Sequence, residues 1–287
     1  MALNPAELVS PAPAAAATAR GDADAARQFE RASRRGLSRR LLAGLWRYTP
    51  ILLLALGWEA ATRLGLVSPF ELPALDKVLT AWWGLLASGD LVSNGAISLA
   101  RGAAGLGLAI AVGAPLGVLM AWSKPVRTLF NPLVQSLYPM PKSALIPVTV
   151  LWLGFGSASK ILLIFIGCML PITLSAFNGA RGAEQTLIWS ARSLGASRTA
   201  TLIDVVLPSA LPEILAGIRI ALAFAFVLLV TTELIAARAG LGYMIGWLGD
   251  GGVYDAMFAV VLTVSLLGFA ADRIWLQLMK RMLRWRE

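Results

Sequence analysis

Runs of roughly twenty apolar residues recur along the chain, at about 48–66, 95–122, 129–153, 160–178, 211–236 and 254–277. A helix needs about 20 such residues to cross the hydrocarbon core of a bilayer. Lipid offers no water to backbone N–H and C=O groups, so a crossing segment must satisfy them internally. The expectation is an all-α, polytopic membrane bundle of six transmembrane helices. Composition agrees: 57% of the 287 residues are hydrophobic and 14% charged, where a soluble domain carries about 25% charged residues. Such a chain cannot solvate its own exterior, and lipid must cover it.

The formal charge is +9. No soluble basic face exists to carry nucleic-acid binding, so the basic residues mark a membrane side instead. Eight of them precede residue 49. Lys124, Arg127, Arg181, Arg192, Arg198, Lys280, Arg281, Arg284 and Arg286 fall on the same side of a six-span arrangement. Arg63, Lys77, Arg101, Lys160 and Arg238 fall on the other. The imbalance puts both termini in the cytoplasm, together with the loop over 179–210. Residues 1–40 are rich in Ala and Pro and read as a disordered basic cytoplasmic tail ahead of a membrane domain over 41–287. Residues 33–46, SRRGLSRRLLAGLW, resemble a twin-arginine export signal, and the Arg-rich start a transit peptide. No small-residue cleavage site follows, however, and Asp22, Asp24 and Glu30 interrupt the basic run. We read the segment as an anchor for the first span.

Enzymatic chemistry is disfavoured. The chain has no histidine, a single cysteine (Cys168) and no G-x-x-x-x-G-K-[ST] phosphate loop. The commonest general base and the commonest metal ligand are thereby missing, and the expectation is a chain with no metal site or cofactor of its own. The alternative transporter reading, a secondary transporter driven by an ion gradient, expects several carboxylates inside the spans. Glu59, Glu233 and Asp272 are few and lie mostly near span ends.

Within the spans, Gly105, Ala109, Gly113, Gly117 and Ala121 recur every four residues. Small residues at this spacing let helix backbones approach closely, within one subunit or at the core of a dimer. Pro115 suggests a kink there. Pro139, Pro141 and Pro147, with Lys142 among them, suggest a broken helix, which survives at membrane depth only where protein or a water-filled cavity shields it. Glu233 should face the bundle interior and find a partner, with Arg101 and Lys160 the candidates. These three are candidate residues of a translocation path or outer gate, or else a structural pair. Glu59 and Arg63, four apart, can pair on one helix face. Trp82 and Trp83, in an amphipathic piece near 74–88, suit a membrane interface.

One polar island interrupts the apolar pattern: WSARSLGASRTATLIDVVLP, residues 189–208. Leu187, Ala191 and Leu194 share a helical face, and Gly195 can end that helix in the left-handed conformation. A second short helical stretch runs through Leu202 to Val206, and Leu207-Pro208 should break it before the fifth span. Two short helices joined by a glycine turn form a compact knob outside the membrane.

The island resembles the cytoplasmic loop signature of ATP-binding-cassette importer permeases: EAA, three residues, G, nine residues, I-x-LP. Here Trp189, Ser190 and Ala191 are followed by Gly195-Ala196, then Val205, Leu207 and Pro208, with every spacing kept. Trp189 replaces the usual glutamate and Ser190 the first alanine. Residues 98–123, 138–161 and 230–245 are similar to the nitrate/sulfonate/taurine branch of that superfamily. The resemblance implies the MetI-like fold, with the island as the coupling loop to a separate ATPase. It further implies a bacterial inner-membrane permease that binds no cofactor itself. ATP and Mg would be bound by two copies of a cytoplasmic ABC ATPase, and a periplasmic solute-binding protein would deliver the solute to a permease homodimer. The implied solute is a sulfonate, taurine, nitrate or a similar anion.

Overall fold

Residues 49–68 and 70–286 are described by the computed structural model, and every regular element among them is helical. The tail over 1–40 lies outside the described residues. Backbone contacts separate two units, Met1–Leu66 and Val67–Glu287. In the first, α1 covers 49–63. Ile51, Leu52, Leu53 and Leu54 are all exposed, an apolar surface suited to lipid. Arg63 Nε lies 2.5 Å from Glu59 Oε1, the expected pair one helical turn apart.

The second unit begins with α2 (Leu75–Ala87), α3 (Asp90–Trp122) and α4 (Lys124–Leu137). A tight 3-10 turn over Lys142–Leu145 leads into α5 (Ile146–Leu153). There follow α6 (Ser157–Arg181), α7 (Gln185–Ser193), α8 (Arg198–Thr201), a wide π turn over Leu202–Val206, and α9 (Leu207–Ala236). The chain closes with α10 (Leu241–Asp250) and α11 (Tyr254–Met282). Among the described residues, four helices are long and apolar enough to cross a membrane: Asp90–Trp122, Ser157–Arg181, Arg198–Ala236 and Tyr254–Met282.

Two expectations change. The segment over 129–153 is not one helix. It divides between α4 and α5 at Tyr138–Pro141, because Pro139 and Pro141 withhold the backbone donors that would continue the helix. Neither piece reaches span length. Leu207-Pro208, in contrast, breaks nothing: helix continues from Arg198 to Ala236. Pro208 sits in the first turn of α9, just past the π turn, where the hydrogen-bond register has already shifted. The Ser209 hydroxyl donates to the Val205 carbonyl at 2.7 Å and satisfies an acceptor loosened there.

The centre of the unit is α6, which lies along α3 on one side and α9 on the other. Leu163, Ile164, Cys168, Ile172 and Ala176 of α6 are buried with Ala109 of α3 and Ala210, Leu215 and Ala221 of α9. The small-residue stripe of α3 makes this possible, and it faces α6 of the same chain. A methyl group at Gly105 would stand 2.7 Å from Ile164 Cβ, and one at Gly117 would stand 2.3 Å from the Thr173 carbonyl oxygen. The α6–α9 contact repeats the device: a methyl at Gly217 would meet Ser175 Cβ at 2.3 Å. Without a hydrophobic force between helices in lipid, this close dispersion contact is what holds them. Helix α3 runs through Pro115 without interruption. A smaller cluster joins Leu91 to Leu241, Met244, Leu248 and Val260, with Trp82 of α2 packed against it. The Trp82 indole donates to Thr263 Oγ1 at 3.0 Å, docking α2 on α11.

Because the atom opposing Gly117 is backbone and cannot move aside, Gly117→Val should destabilise the protein by about 3 kcal/mol, the upper end for overpacking. Gly107 lies on the same helix, and a methyl group there would meet nothing within 4 Å. It should accept alanine with a gain of about 0.5 kcal/mol. Thermal unfolding of the purified protein in detergent compares the two; equal midpoints would refute the packing.

Candidate functional site

Three places in the fold gather chemistry. The first is the turn between α7 and α8. Helix α7 is anchored by Ile188, which is buried, while Leu187 and Trp189 face outward, Trp189 at 63% exposure. The face carrying Leu187, Ala191 and Leu194 is therefore the outer one, with Leu194 89% exposed. Gly195 ends the helix at φ +88°. Its N–H reaches the Arg192 carbonyl and the Ala196 N–H the Ala191 carbonyl, both at 3.0 Å, the double closure of a left-handed helix cap. Ser197 then caps α8 by accepting from the Ala200 N–H at 3.1 Å. Ser190 is exposed and Ala191 and Ala196 are half-buried. Val205, Leu207 and Pro208 lie on the following helix, in and just after the π turn. The guanidinium groups of Arg192 and Arg198 lie 5.9 and 5.7 Å from the ring of Trp122, the last residue of α3. Cation–π attraction thus fastens the knob to the end of a long helix. Nothing local in the sequence marks Trp122 for this role.

The second is a buried charge cluster at the other end of the three core helices. Glu233 is 0% exposed. Its Oε1 accepts from Arg101 Nη1 at 2.7 Å, and its Oε2 from the Ser98 hydroxyl at 2.6 Å and the Gly242 N–H at 3.0 Å. Arg101 also donates to the Ala239 carbonyl at 2.7 Å and to Ser157 Oγ at 3.0 Å. Lys160, 1% exposed, turns instead to backbone carbonyls: Phe155 at 2.7 Å and Ala236, the last residue of α9. An ammonium there meets the negative end of the α9 dipole and its orphan carbonyls. The opening of α10 is capped from other helices. Asn94 Oδ1 accepts from the Gly240 N–H and Ser98 Oγ from the Leu241 N–H, each at 2.8 Å, and Glu233 takes the Gly242 N–H. Gly240 has φ +116°, and a methyl there would lie 2.4 Å from the carboxylate, so only glycine fits.

The third is an open cavity of about 830 Å³ between the Tyr138–Ser143 turn, α6 and α9. Its α9 wall is one helical face, Ile220, Phe224, Val227 and Thr231; its α6 wall is Gly167, Leu170, Leu174 and Asn178. Lys142 lies between them. Arg101, Lys160 and Glu233 do not line this cavity. The structure brings Arg101 and Glu233 into direct contact, with Lys160 at the same end of α9, and keeps all three in the protein interior. Gly105, Ala109, Gly113 and Gly117 are not among the lining residues and lie in the α3–α6 seam.

Comparison with known proteins gives the family and the fold. Residues 113–284 match the family described as binding-protein-dependent transport system inner membrane component. The taurine transport system permease protein of Escherichia coli is 38% identical over 242 residues, which is 83% of this chain and 88% of that one. The putative aliphatic sulfonates transport permease protein of Bacillus subtilis is 34% identical over 238 residues, 83% of this chain and 86% of that one. In fold, the inward-facing MetNI methionine ABC transporter aligns at TM-score 0.53 and 22% identity, over 66% of this chain and 96% of that one.

Glu233→Gln should leave Arg101 buried without its counter-charge. The expected cost is about 3–5 kcal/mol, read as lost yield of folded protein in detergent. Replacing both, Arg101→Met with Glu233→Met, should recover more than half of that loss. A double variant no better than the single one would show that the pair is not the source of the effect.

Proposed function

We infer, from the premise that this chain belongs to the binding-protein-dependent transport inner membrane components, that it is the permease subunit of an ABC importer, forming the translocation pathway for a small anionic solute. The similarity to taurine and aliphatic sulfonate permeases supports a sulfonate, taurine or a similar anion as that solute. In this reading the six apolar runs all cross the inner membrane, the 129–153 run as a broken segment, with both termini in the cytoplasm. Two copies of the permease enclose the pathway, and a solute-binding protein delivers to it from the periplasm. The chain is non-catalytic, and two copies of a separate ATPase subunit bind ATP and Mg.

The observation that carries the reading is the α7–Gly195–α8 turn. It keeps the family's loop spacing through Trp189, Ser190, Ala191, Gly195, Ala196, Val205, Leu207 and Pro208, and it presents apolar groups on a surface that its own fold leaves uncovered. A knob of that kind suits docking into a cleft of the ATPase, where Trp189 supplies an aromatic contact in place of a carboxylate. Binding energy at the knob then rocks packed helices about the solute site, the general logic of alternating access. In the same reading Arg101, Lys160 and Glu233 form a fixed lock at the periplasmic end of the helices rather than a lining of the path.

Gly195→Val tests the coupling. A β-branched residue at φ +88° is strained although a methyl group there meets nothing within 4 Å. Membrane insertion and complex assembly should be unchanged. ATP-dependent taurine uptake in vesicles holding permease, ATPase and binding protein should fall by about tenfold per ATP hydrolysed. Uptake at the unaltered ratio would sink the assignment of the loop.

A further inference from the structure

We propose that Lys142 selects solutes by charge: its ammonium is the anion-recognising group of the 830 Å³ cavity, facing a small organic anion with a sulfonate-like or carboxylate head. The proposal rests on the permease reading and names the group that acts within it.

The first support is the composition of the wall. Of the side chains lining the cavity, Lys142 alone carries a formal charge, and no aspartate or glutamate joins it. The remaining polar side chains, Tyr138, Ser143, Ser175, Asn178 and Thr231, carry no formal charge. A volume near 830 Å³ falls within the roughly 300–1,000 Å³ of small-molecule sites. A single cation on an otherwise neutral, low-dielectric wall sets the sign of the potential throughout it.

The second is the contrast with other basic groups in the long helices. Arg101 and Arg219 each face a carboxylate at 2.7 Å, from Glu233 and Asp272. Lys160 is sealed in the interior among carbonyls. Lys142 is half-buried, and among the described residues no carboxylate lies within 4 Å of it. Its Nζ donates to the Tyr138 carbonyl at 2.5 Å and lies 5.7 Å from the Tyr138 ring. One of three ammonium donors is so used, which leaves two for a solute.

The third is how it is held. The prolines at 139 and 141 break the helix and turn Lys142 into the cavity wall instead of extending α4. Gly167 of α6 leaves the room: a methyl there would strike Leu228 Cδ1 at 2.2 Å and stand 3.7 Å from Lys142 Cγ. The lysine stem is therefore lodged between α6 and α9, and its head is positioned by the end of α4.

The test uses the assembled transporter in nanodiscs, with Ser143→Cys placed beside Lys142 on the wall. Cys168 is fully buried and serves as an unreactive background. Two thiol reagents of similar size are compared: 2-sulfonatoethyl methanethiosulfonate, itself an alkyl sulfonate anion, and its trimethylammonium counterpart. In each reaction the introduced thiolate displaces methanesulfinate and forms a mixed disulfide. Any effect of Lys142 on the thiol's own ionisation changes both rates alike, so the anion-to-cation rate ratio isolates charge recognition. Lys142→Gln should lower that ratio by about tenfold, while Lys142→Arg keeps it. Gln can still donate to the Tyr138 carbonyl, so the substitution removes the charge while keeping that capping bond. A fall of about threefold or more supports the proposal, and a smaller one overturns it. Should K142Q fail to assemble, ethanesulfonate and neutral ethanesulfonamide are compared as protectants against methyl methanethiosulfonate in S143C alone. Protection by the anion only supports the assignment; equal or absent protection overturns it. Taurine uptake in vesicles, run in parallel, separates the two levels. No ATP-dependent uptake by the unsubstituted complex would remove the transporter reading, whereas intact uptake with an unchanged ratio would remove Lys142 alone.

Discussion

A carboxylate with no exposure to solvent, inside a helix bundle meant for lipid, has to be neutralised by something equally buried. Glu233 meets that demand with Arg101, and the rest of that end of the molecule is arranged around the pair. Arg101 comes from α3, Glu233 from the last turn of α9, Ser157 from the start of α6, and the Gly242 amide from the start of α10. The ends of α6, α9 and α10 are thereby tied to the body of α3 by groups whose partners would each be costly to lose. Lys160 adds a second tie, joining α6 to the closing carbonyl of α9. The cluster holds two cations and one anion, and the excess positive charge sits against the carbonyl end of a helix, where the macrodipole favours it. Among the described residues no buried side-chain nitrogen or oxygen lacks a partner.

At the middle of the bundle the design is the opposite: polar groups are sparse, and glycine decides what touches. Gly105, Gly113 and Gly117 bring α3 onto α6; Gly167, Gly179 and Gly217 bring α6 onto α9. The three helices become a slab in which side chains such as Ile164 and Leu228 pack directly against glycines of the facing helix. The space this slab leaves open is the cavity beside Tyr138–Ser143, and it exists because α4 stops there. A continuous helix over 129–153 would carry Lys142 along an α-helical face and have to satisfy backbone groups that the three prolines cannot supply. The break, the cavity and the exposed lysine head are one structural event.

Much of this was legible in the residues, and what was not has specific causes. The cost of burying a carboxylate was enough to ask for a partner of Glu233 and to name Arg101. Ser98 and Asn94 gave no such signal, because they cap α10 from positions about 140 residues away and capping motifs are recognisable only when local. A four-residue glycine period announced close approach but not which helix approaches; Ile164, Met169 and Thr173 of α6 supply the answer. Pro208 was misleading because a proline breaks a helix only where its missing donor and ring collide with an α-register, and the π turn before it has changed that register. In α7 the apolar positions Leu187, Ala191 and Leu194 were correctly grouped on one face. That face turns away from the protein, and the anchoring residue is Ile188, the neighbour on the other side.

The same geometry shows how a push on α7 would reach the cavity. Trp122 lies between Arg192 of α7 and Arg198 of α8, so a displacement of the knob pulls on the end of α3. The knob also leads directly into the uninterrupted helix from Arg198 to Ala236, which carries Ile220, Phe224, Val227 and Thr231 of the cavity wall. With the far ends of α3, α6 and α9 tied together at Glu233, these helices cannot translate freely along their axes. Force applied at the near end must appear as tilt about the tied end. On the permease reading the displacement would be largest at the knob, intermediate at Phe224 and smallest at Glu233, which would put the cavity on the part that tilts. The π turn at Leu202–Val206 lies between the knob and the cavity wall, and its hydrogen-bond register already departs from the α-helical one, so bending under such a push would be easiest there.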